Sequence, residues 1–180
     1  MKNFINFLTV SRLLSGPIIF VSITFFNYYL FALILFLLSA ITDFFDGFLA
    51  RKYYLVSSFG EMLDPIADKV LLLFLLFSIT LITQDFYIGM MSSLIISREI
   101  FVGGLREFTS KNNISSATEV TFLAKVKTSI QFITISSYLV SFLIGSSILL
   151  FISSFLLFIS LLVTFKTGLD YFFNTIIKSK

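Results

Sequence analysis

Four aspartates stand out for the chemistry that their spacing permits. The chain reads Asp43-Phe44-Phe45-Asp46-Gly47-Phe48-Leu49-Ala50-Arg51 and, further on, Gly60-Glu61-Met62-Leu63-Asp64-Pro65-Ile66-Ala67-Asp68. Asp43 and Asp46 stand at i and i+3, and Asp64 and Asp68 at i and i+4, so on helices each pair shares a face. Two such helices, joined by a short loop and facing each other, would gather four carboxylates in a small volume. Such a group repels itself and takes up protons unless a cation neutralises it. The chain has no His and no Cys, which leaves no imidazole or thiolate for zinc or haem. The cations suited to carboxylates alone are hard ones, Mg2+ or Mn2+, and a set of four has donors for two ions. Such ions commonly act on phosphate-bearing substrates. Gly47 and Gly60 flank the carboxylates, where a missing side chain lets a ligand approach the backbone. For Gly47, close packing of two helices explains the residue equally well.

The elements that must hold these residues are membrane helices. Hydrophobic residues make up 57% of the 180 and charged residues 13%, against about 25% charged in soluble chains. The mean hydropathy is +1.00. So few charges cannot cover the surface of a water-soluble globule. The lack of Cys excludes a disulfide framework. A balance of 13 Lys and Arg to 10 Asp and Glu is too even to call for nucleic acid. Apolar runs at residues 8–26, 30–50, 65–83, 86–106, 119–143 and 147–166 each approach the length of about 20 that one span needs. The uncharged stretch from Leu13 to Ile41 would measure roughly 43 Å as a single helix, so the break is placed at Asn27-Tyr28-Tyr29. This division puts Pro65 in the first turn of the third helix, where proline is tolerated. No run has the features of a cleaved signal peptide. The expected fold is an all-α integral membrane protein, one domain over residues 1–180 with six transmembrane helices.

Charge then orients the helices. The connections near residues 27–29, 84–85 and 145–147 hold no Lys or Arg and one acidic residue, Asp85, so all 13 basic residues fall on the opposite side. That side, with both termini, is expected to be cytoplasmic. Six of the seven Tyr, all but Tyr138, fall near expected span ends, as in an aromatic belt. Counted from the outer end of each helix, Asp43 lies roughly 20 Å in, Asp68 roughly 22 Å and Arg98 roughly 18 Å. Lys52, Lys69 and Lys111 have stems long enough to snorkel from such depth, but the short aspartates do not. Charges from three helices at one level predict a polar cavity open to the cytoplasm.

The pattern Asp-x2-Asp-Gly-x2-Ala-Arg-x8-Gly-x3-Asp-x3-Asp, complete from Asp43 to Asp68, resembles the signature of the CDP-alcohol phosphatidyltransferases. The resemblance implies a multi-pass enzyme of the bacterial inner membrane that transfers a phosphatidyl group from a CDP-linked lipid to an alcohol, releasing CMP. It implies that Asp43, Asp46 and Asp64 ligate a divalent metal pair. Asp68 would both approach the metal and take the proton from the acceptor hydroxyl. Gly47, Arg51 and Ser57 match positions that contact the CDP-lipid, and Gly60 lies beside them. The segment Asn6-Phe7-Leu8-Thr9-Val10-Ser11-Arg12 resembles the family's N-terminal Asn-x-Leu-Thr-x-x-Arg stretch, although Ile5 stands where a Pro often precedes the Asn. Asn6 and Thr9 are thereby expected beside the nucleotide. The resemblance also allows a homodimer.

The acceptor must be read from other helices. Arg98-Glu99, Gly104-Leu105-Arg106-Glu107 and Ala124-Lys125-Val126-Lys127-Thr128 bring Arg98, Arg106, Lys125 and Lys127 near the level of the carboxylates. Guanidinium groups suit bidentate phosphate binding, so an anionic acceptor is expected rather than serine or inositol. Neighbours on a helix do not face each other, so neither Arg98 with Glu99 nor Arg106 with Glu107 is expected to form a salt bridge. Lys125 and Lys127 point about 200° apart, so one of them faces the cavity, and Lys127 is favoured. Lys166, Lys178 and Lys180 are expected at anionic lipid head groups. These stretches are similar to those of the bacterial phosphatidylglycerophosphate synthases, with Ala124 in place of the usual Gly. The implied substrates are CDP-diacylglycerol and sn-glycerol 3-phosphate, and the implied products are phosphatidylglycerol phosphate and CMP. Phosphatidylglycerol, inositol phosphate or serine as acceptor would give a sister enzyme. A cation channel or transporter is the alternative from another class. Against it, Asp85 alone stands on the outer side.

Overall fold

Helix boundaries follow the local punctuation of the sequence. The computed structural model describes residues 2–53, 58–112, 114–119 and 121–178, and for residues 2–6, 44–53, 58–59, 61 and 115 the course of the backbone only. The helices are α1 (Lys2–Thr24), α2 (Tyr29–Tyr53), α3 (Ser58–Thr83), α4 (Phe86–Lys111), α5 (Phe122–Ile144) and α6 (Ser147–Lys178), with a 3-10 turn at Ser115–Thr118. No strand occurs among the described residues. Asn27 takes a left-handed φ of 56° between α1 and α2, and Gln84 one of 49° between α3 and α4. Asp85 then caps α4, accepting from the backbone N–H groups of Tyr87 at 2.7 Å and Ile88 at 3.2 Å. Gly145, at φ 69°, closes α5 before α6. Turns this short make consecutive helices antiparallel neighbours.

α1 packs on α2 and α3, α3 on α4, α4 on α6, α6 on α5, and α5 back on α2, which closes a ring of six helices. Its interior draws on every helix, with Ile23, Phe36, Leu75, Ile95, Leu139 and Leu157 all buried. Phe36 stacks on Phe132 at 5.1 Å across the α2–α5 contact. Small polar residues tie α5 to α6, where Ser137 and Ser153 lie 2.6 Å apart and Tyr138 donates to Ser154 at 3.0 Å. The outside is apolar, with Phe31, Phe77, Phe151 and Phe158 exposed, as a lipid solvent requires.

The structure departs from the sequence expectation at three helix ends. α3 begins at Ser58, so Pro65 lies inside the helix rather than in its first turn. The helix accepts this at the loss of one ladder bond. α1 starts at Lys2, before the expected residue 8. α6 runs on to Lys178 past Lys166 and Asp170. Both of those charges are exposed, while Thr164, Thr167, Gly168, Tyr171 and Thr175 continue one buried face at helical spacing. Six helices are present, and among the described residues five of them are long and apolar enough to cross a bilayer. α2 itself runs from Tyr29 to Tyr53, and its side chains are described as far as Asp43.

Candidate active site

Three helices meet at the first group of charges. The helical spacing of Thr9 and Arg12 sets both on one face of α1, turned toward Asp43 of α2 and toward Asp64 and Asp68, one turn apart on α3. Arg12 Nη1 lies 2.6 Å from Asp43 Oδ1, 3.2 Å from Asp68 Oδ1 and 4.0 Å from Asp64 Oδ1. Thr9 donates its hydroxyl to Asp64 Oδ1 at 2.9 Å. Arg12 is 2% exposed and Thr9 is fully buried, whereas the carboxylate side chains are 50%, 45% and 55% exposed for Asp43, Asp64 and Asp68. The guanidinium is therefore the floor of the group and the carboxylates are its open rim.

Three of the sequence-selected residues, Asp43, Asp64 and Asp68, are thus brought together. Asp46, and with it Asn6, Gly47, Arg51 and Ser57, lies outside the residues whose side chains are described. Gly60 is buried near the start of α3. Arg12 belongs to the N-terminal motif, from which no chemical part in the site is expected for it. A usable signal existed: it stands 12 residues in from Thr24, roughly 18 Å, the same depth that singled out Asp43 and Arg98.

Whether these residues suit a divalent cation turns on their donors and charge. All three offer hard carboxylate oxygens, the donors that Mg2+ and Mn2+ prefer. Three negative charges against one guanidinium leave two uncompensated, the charge of one such ion. No three carboxylates stand at metal-binding spacing among the described residues, because they are gathered on the guanidinium between them. The donor set fits a divalent ion in chemistry and in charge.

The second group lies between α4, α5 and α6. Arg98 donates to Thr167 Oγ1 at 2.6 Å and to Glu99 Oε1 at 3.1 Å. Lys127 donates to the same Glu99 oxygen at 2.6 Å. Lys127 is buried and Lys125 exposed, so the two do point apart. The expectation that Arg98 and Glu99 would not pair is corrected. Their Cα–Cβ directions diverge, but the long arginine side chain turns within the crevice between α5 and α6 and reaches the carboxylate. Glu107 behaves as expected toward Arg106: it pairs instead with Lys111, one turn away, at 2.6 Å. Arg106 is exposed, and its guanidinium carbon lies over the ring of Tyr171, 5.5 Å from its centre. Tyr171 is 2% exposed. It belongs to the interior and not to the aromatic belt assigned from sequence, because α6 outruns its expected end.

Among the described residues no ion pair joins the two groups, and the contact between α3 and α4 lies between them. Asp68 and Lys69 are consecutive on α3, and the Lys69 amine rests against Gly103, where a Cβ would collide with it. Gly103 lies between Arg98 and Arg106 on α4. The carboxylate rim and the basic group therefore stand side by side across the α3–α4 contact. One side can hold a hard cation, and the other can hold an anion.

Comparison with known proteins agrees with this arrangement. The family model described as CDP-alcohol phosphatidyltransferase matches residues 2–166, a span containing both groups of charges. The chain is 40% identical over 181 residues to a Rickettsia felis protein named CDP-diacylglycerol--glycerol-3-phosphate 3-phosphatidyltransferase, covering 95% of this chain and 94% of that one. A Rickettsia typhi protein of the same name is 40% identical over 183 residues, covering 96% of each chain. An Escherichia coli K12 protein, also of that name, is 35% identical over 105 residues, 58% of each chain. By the signature that sets Asp43, Asp64 and Asp68 around one point and by these matches, the chain belongs to the CDP-alcohol phosphatidyltransferase family.

Proposed function

We propose that this protein transfers the phosphatidyl group of CDP-diacylglycerol to sn-glycerol 3-phosphate, giving phosphatidylglycerol phosphate and CMP. The observation that carries the reading is the carboxylate rim of Asp43, Asp64 and Asp68 set beside a basic group with spare positive charge, in a chain whose relatives are named for this reaction. The acceptor hydroxyl oxygen attacks the β-phosphorus of the CDP-lipid, and the bond from that phosphorus to the bridging oxygen of CMP breaks. Asp43, Asp46, Asp64 and Asp68 are the residues that would hold Mg2+ or Mn2+, two ions in this reading. Bound there, the metal supplies positive charge to the phosphoryl oxygens and to the departing phosphate.

The remaining work falls to the chain itself. Asp68, on the open rim, takes the hydroxyl proton as general base. Thr9 and Arg12 keep Asp64 and Asp43 turned toward the same point. Asn6, Thr9, Gly47, Arg51, Ser57 and Gly60 border the CDP-lipid. Arg98, Arg106 and Lys127 receive the acceptor phosphate, with Lys125 at the mouth. Six spans with both termini in the cytoplasm are supported by the one-sided Lys and Arg distribution. That topology opens the cavity to the cytoplasmic side of a bacterial inner membrane. Asp85, the acidic residue of the outer connections, serves as the cap of α4, which gives an ion pathway no outer site there.

The test is CMP release by the purified protein in detergent with CDP-diacylglycerol and Mg2+. Glycerol 3-phosphate, inositol phosphate, serine and phosphatidylglycerol are supplied as acceptors in parallel. Release with glycerol 3-phosphate alone is the expected result. Release with another acceptor alone would keep the family chemistry and overturn the acceptor. Metal-dependent ion flux in liposomes without CMP release would overturn the reaction.

A further inference from the structure

Tyr171 is a buried group that the proposed reaction does not yet use. Its hydroxyl has no hydrogen-bond partner among the described residues, although the side chain is 2% exposed. Buried tyrosine hydroxyls ordinarily find a partner, and one left without is destabilising. The Arg98 guanidinium carbon lies over the Tyr171 ring, 6.0 Å from its centre, and that of Arg106 at 5.5 Å. Two like charges thus share one ring.

Their counter-charges are few. Glu99 is shared between Arg98 and Lys127, and Glu107 is engaged by Lys111. Asp170, the preceding residue on α6, is exposed and enters no ion pair among the described residues. A carboxylate in place of the ring would hold both guanidiniums but would cancel the charge that an anion needs. An aromatic face attracts cations without cancelling them. The same face of α6 is fitted to Arg98 one turn earlier. Thr167 accepts its Nη2 at 2.6 Å, and a Cβ at Gly168 would stand 2.9 Å from its Nε.

We infer that Tyr171 is a positioning and specificity residue for a phosphate monoester: its ring seats Arg98 and Arg106 as an uncancelled pair, and its hydroxyl donates to a phosphate oxygen. The inference rests on the reading of the Arg98–Arg106 group as the acceptor-phosphate site. It places the far half of α6 in the acceptor pocket.

The experiment measures equilibrium binding of sn-glycerol 3-phosphate, and separately of inorganic phosphate, to the full-length protein in detergent. Wild type, Tyr171→Phe and Tyr171→Leu are compared. Tyr171→Phe keeps the ring and is expected to weaken both ligands about tenfold, the effect of one hydrogen bond to a charged group. Tyr171→Leu also removes the seat and should weaken them by a further factor of about ten. In CMP release, the KM for glycerol 3-phosphate should rise in parallel in Tyr171→Phe, while the KM for CDP-diacylglycerol stays unchanged. Unaltered affinity in Tyr171→Phe, equal rises in both KM values, or a wild type that binds neither phosphate would overturn the inference. Tyr171→Phe decides alone if the leucine variant fails to fold. A wild type that binds glycerol 3-phosphate but releases no CMP with it would sink the reaction instead and leave the binding result standing.

Discussion

Arg12 is the most informative residue to remove, because it is buried while its partners are not. Arg12→Met keeps the approximate volume and deletes the charge. Two carboxylates lie within hydrogen-bond distance of its Nη1, at 2.6 and 3.2 Å, and hydrogen bonds to charged groups contribute about 1.5–3 kcal/mol each. The carboxylates are about half exposed, so water recovers part of that loss, which brings the total to about 3 kcal/mol. For a chain of this size each kcal/mol moves the melting temperature by about 2–4 °C. Arg12→Met should therefore melt about 6–12 °C lower than wild type in metal-free detergent, followed by helical circular dichroism. Three carboxylates would then face one another without a counter-charge, so the variant should bind Mg2+ more tightly than wild type. Added Mg2+ should accordingly raise its melting temperature by more than it raises that of wild type. A melting temperature within about 2 °C of wild type would refute the electrostatic role. A large drop with no extra response to Mg2+ would reduce Arg12 to packing.

Three further outcomes follow from the same geometry. Asp68→Asn should lower kcat roughly a thousandfold, within the range of general-base catalysis, while equilibrium binding of CDP-diacylglycerol survives; near-normal turnover would remove Asp68 from the base role. Arg106→Ala should raise the KM for glycerol 3-phosphate about tenfold or more, with little change for CDP-diacylglycerol, and equal effects on both would speak against a dedicated phosphate site. Removal of divalent ions with a chelator should abolish CMP release, with recovery on adding Mg2+ or Mn2+; activity that persists in the chelator would dismiss the carboxylate metal site.

The carboxylate rim was legible because its information is local. Asp64 and Asp68 sit one turn apart on one helix, whereas Asp43 joins them through Arg12, because α1 packs on both α2 and α3. Arg12 was harder to see, since it lies more than fifty positions from Asp64 and reaches it only through the packing of α1 on α3. Its depth along α1, roughly 18 Å from Thr24, is the signal in the sequence that points to it. The end of α6 was missed because Lys166 and Asp170 look like the edge of a membrane span. Both are exposed while Thr167, Gly168 and Tyr171 remain buried, so the helix is amphipathic beyond its apolar part, and periodicity outweighs charge there. The Arg98–Glu99 pair escaped for a different reason. Rules about neighbouring residues describe side chains on an open helix surface, whereas these two share a crevice walled by α5 and α6.

The two groups of charges are built on one plan with the signs reversed. Each has a single opposite charge at its centre: Arg12 among Asp43, Asp64 and Asp68, and Glu99 between Arg98 and Lys127, with Arg106 nearby on Tyr171. A lone group of like charges would be costly within a membrane protein. One central counter-ion holds each group together before any substrate arrives. Among the described side chains it also leaves each group short of neutrality, by two negative charges on the α1–α3 side and by two positive charges on the α4–α6 side. Those excesses have the signs that divalent metal ions and a phosphate monoester near neutral pH would offset. Under the proposed reaction, each substrate or cofactor completes a charge balance that folding leaves open. Partial neutralisation within either group, by one more Arg beside the carboxylates or one more Asp beside the basic residues, would be expected to stabilise the empty protein and weaken binding on that side alone. Selection for the reaction rather than for stability therefore explains why each group stops at one counter-ion.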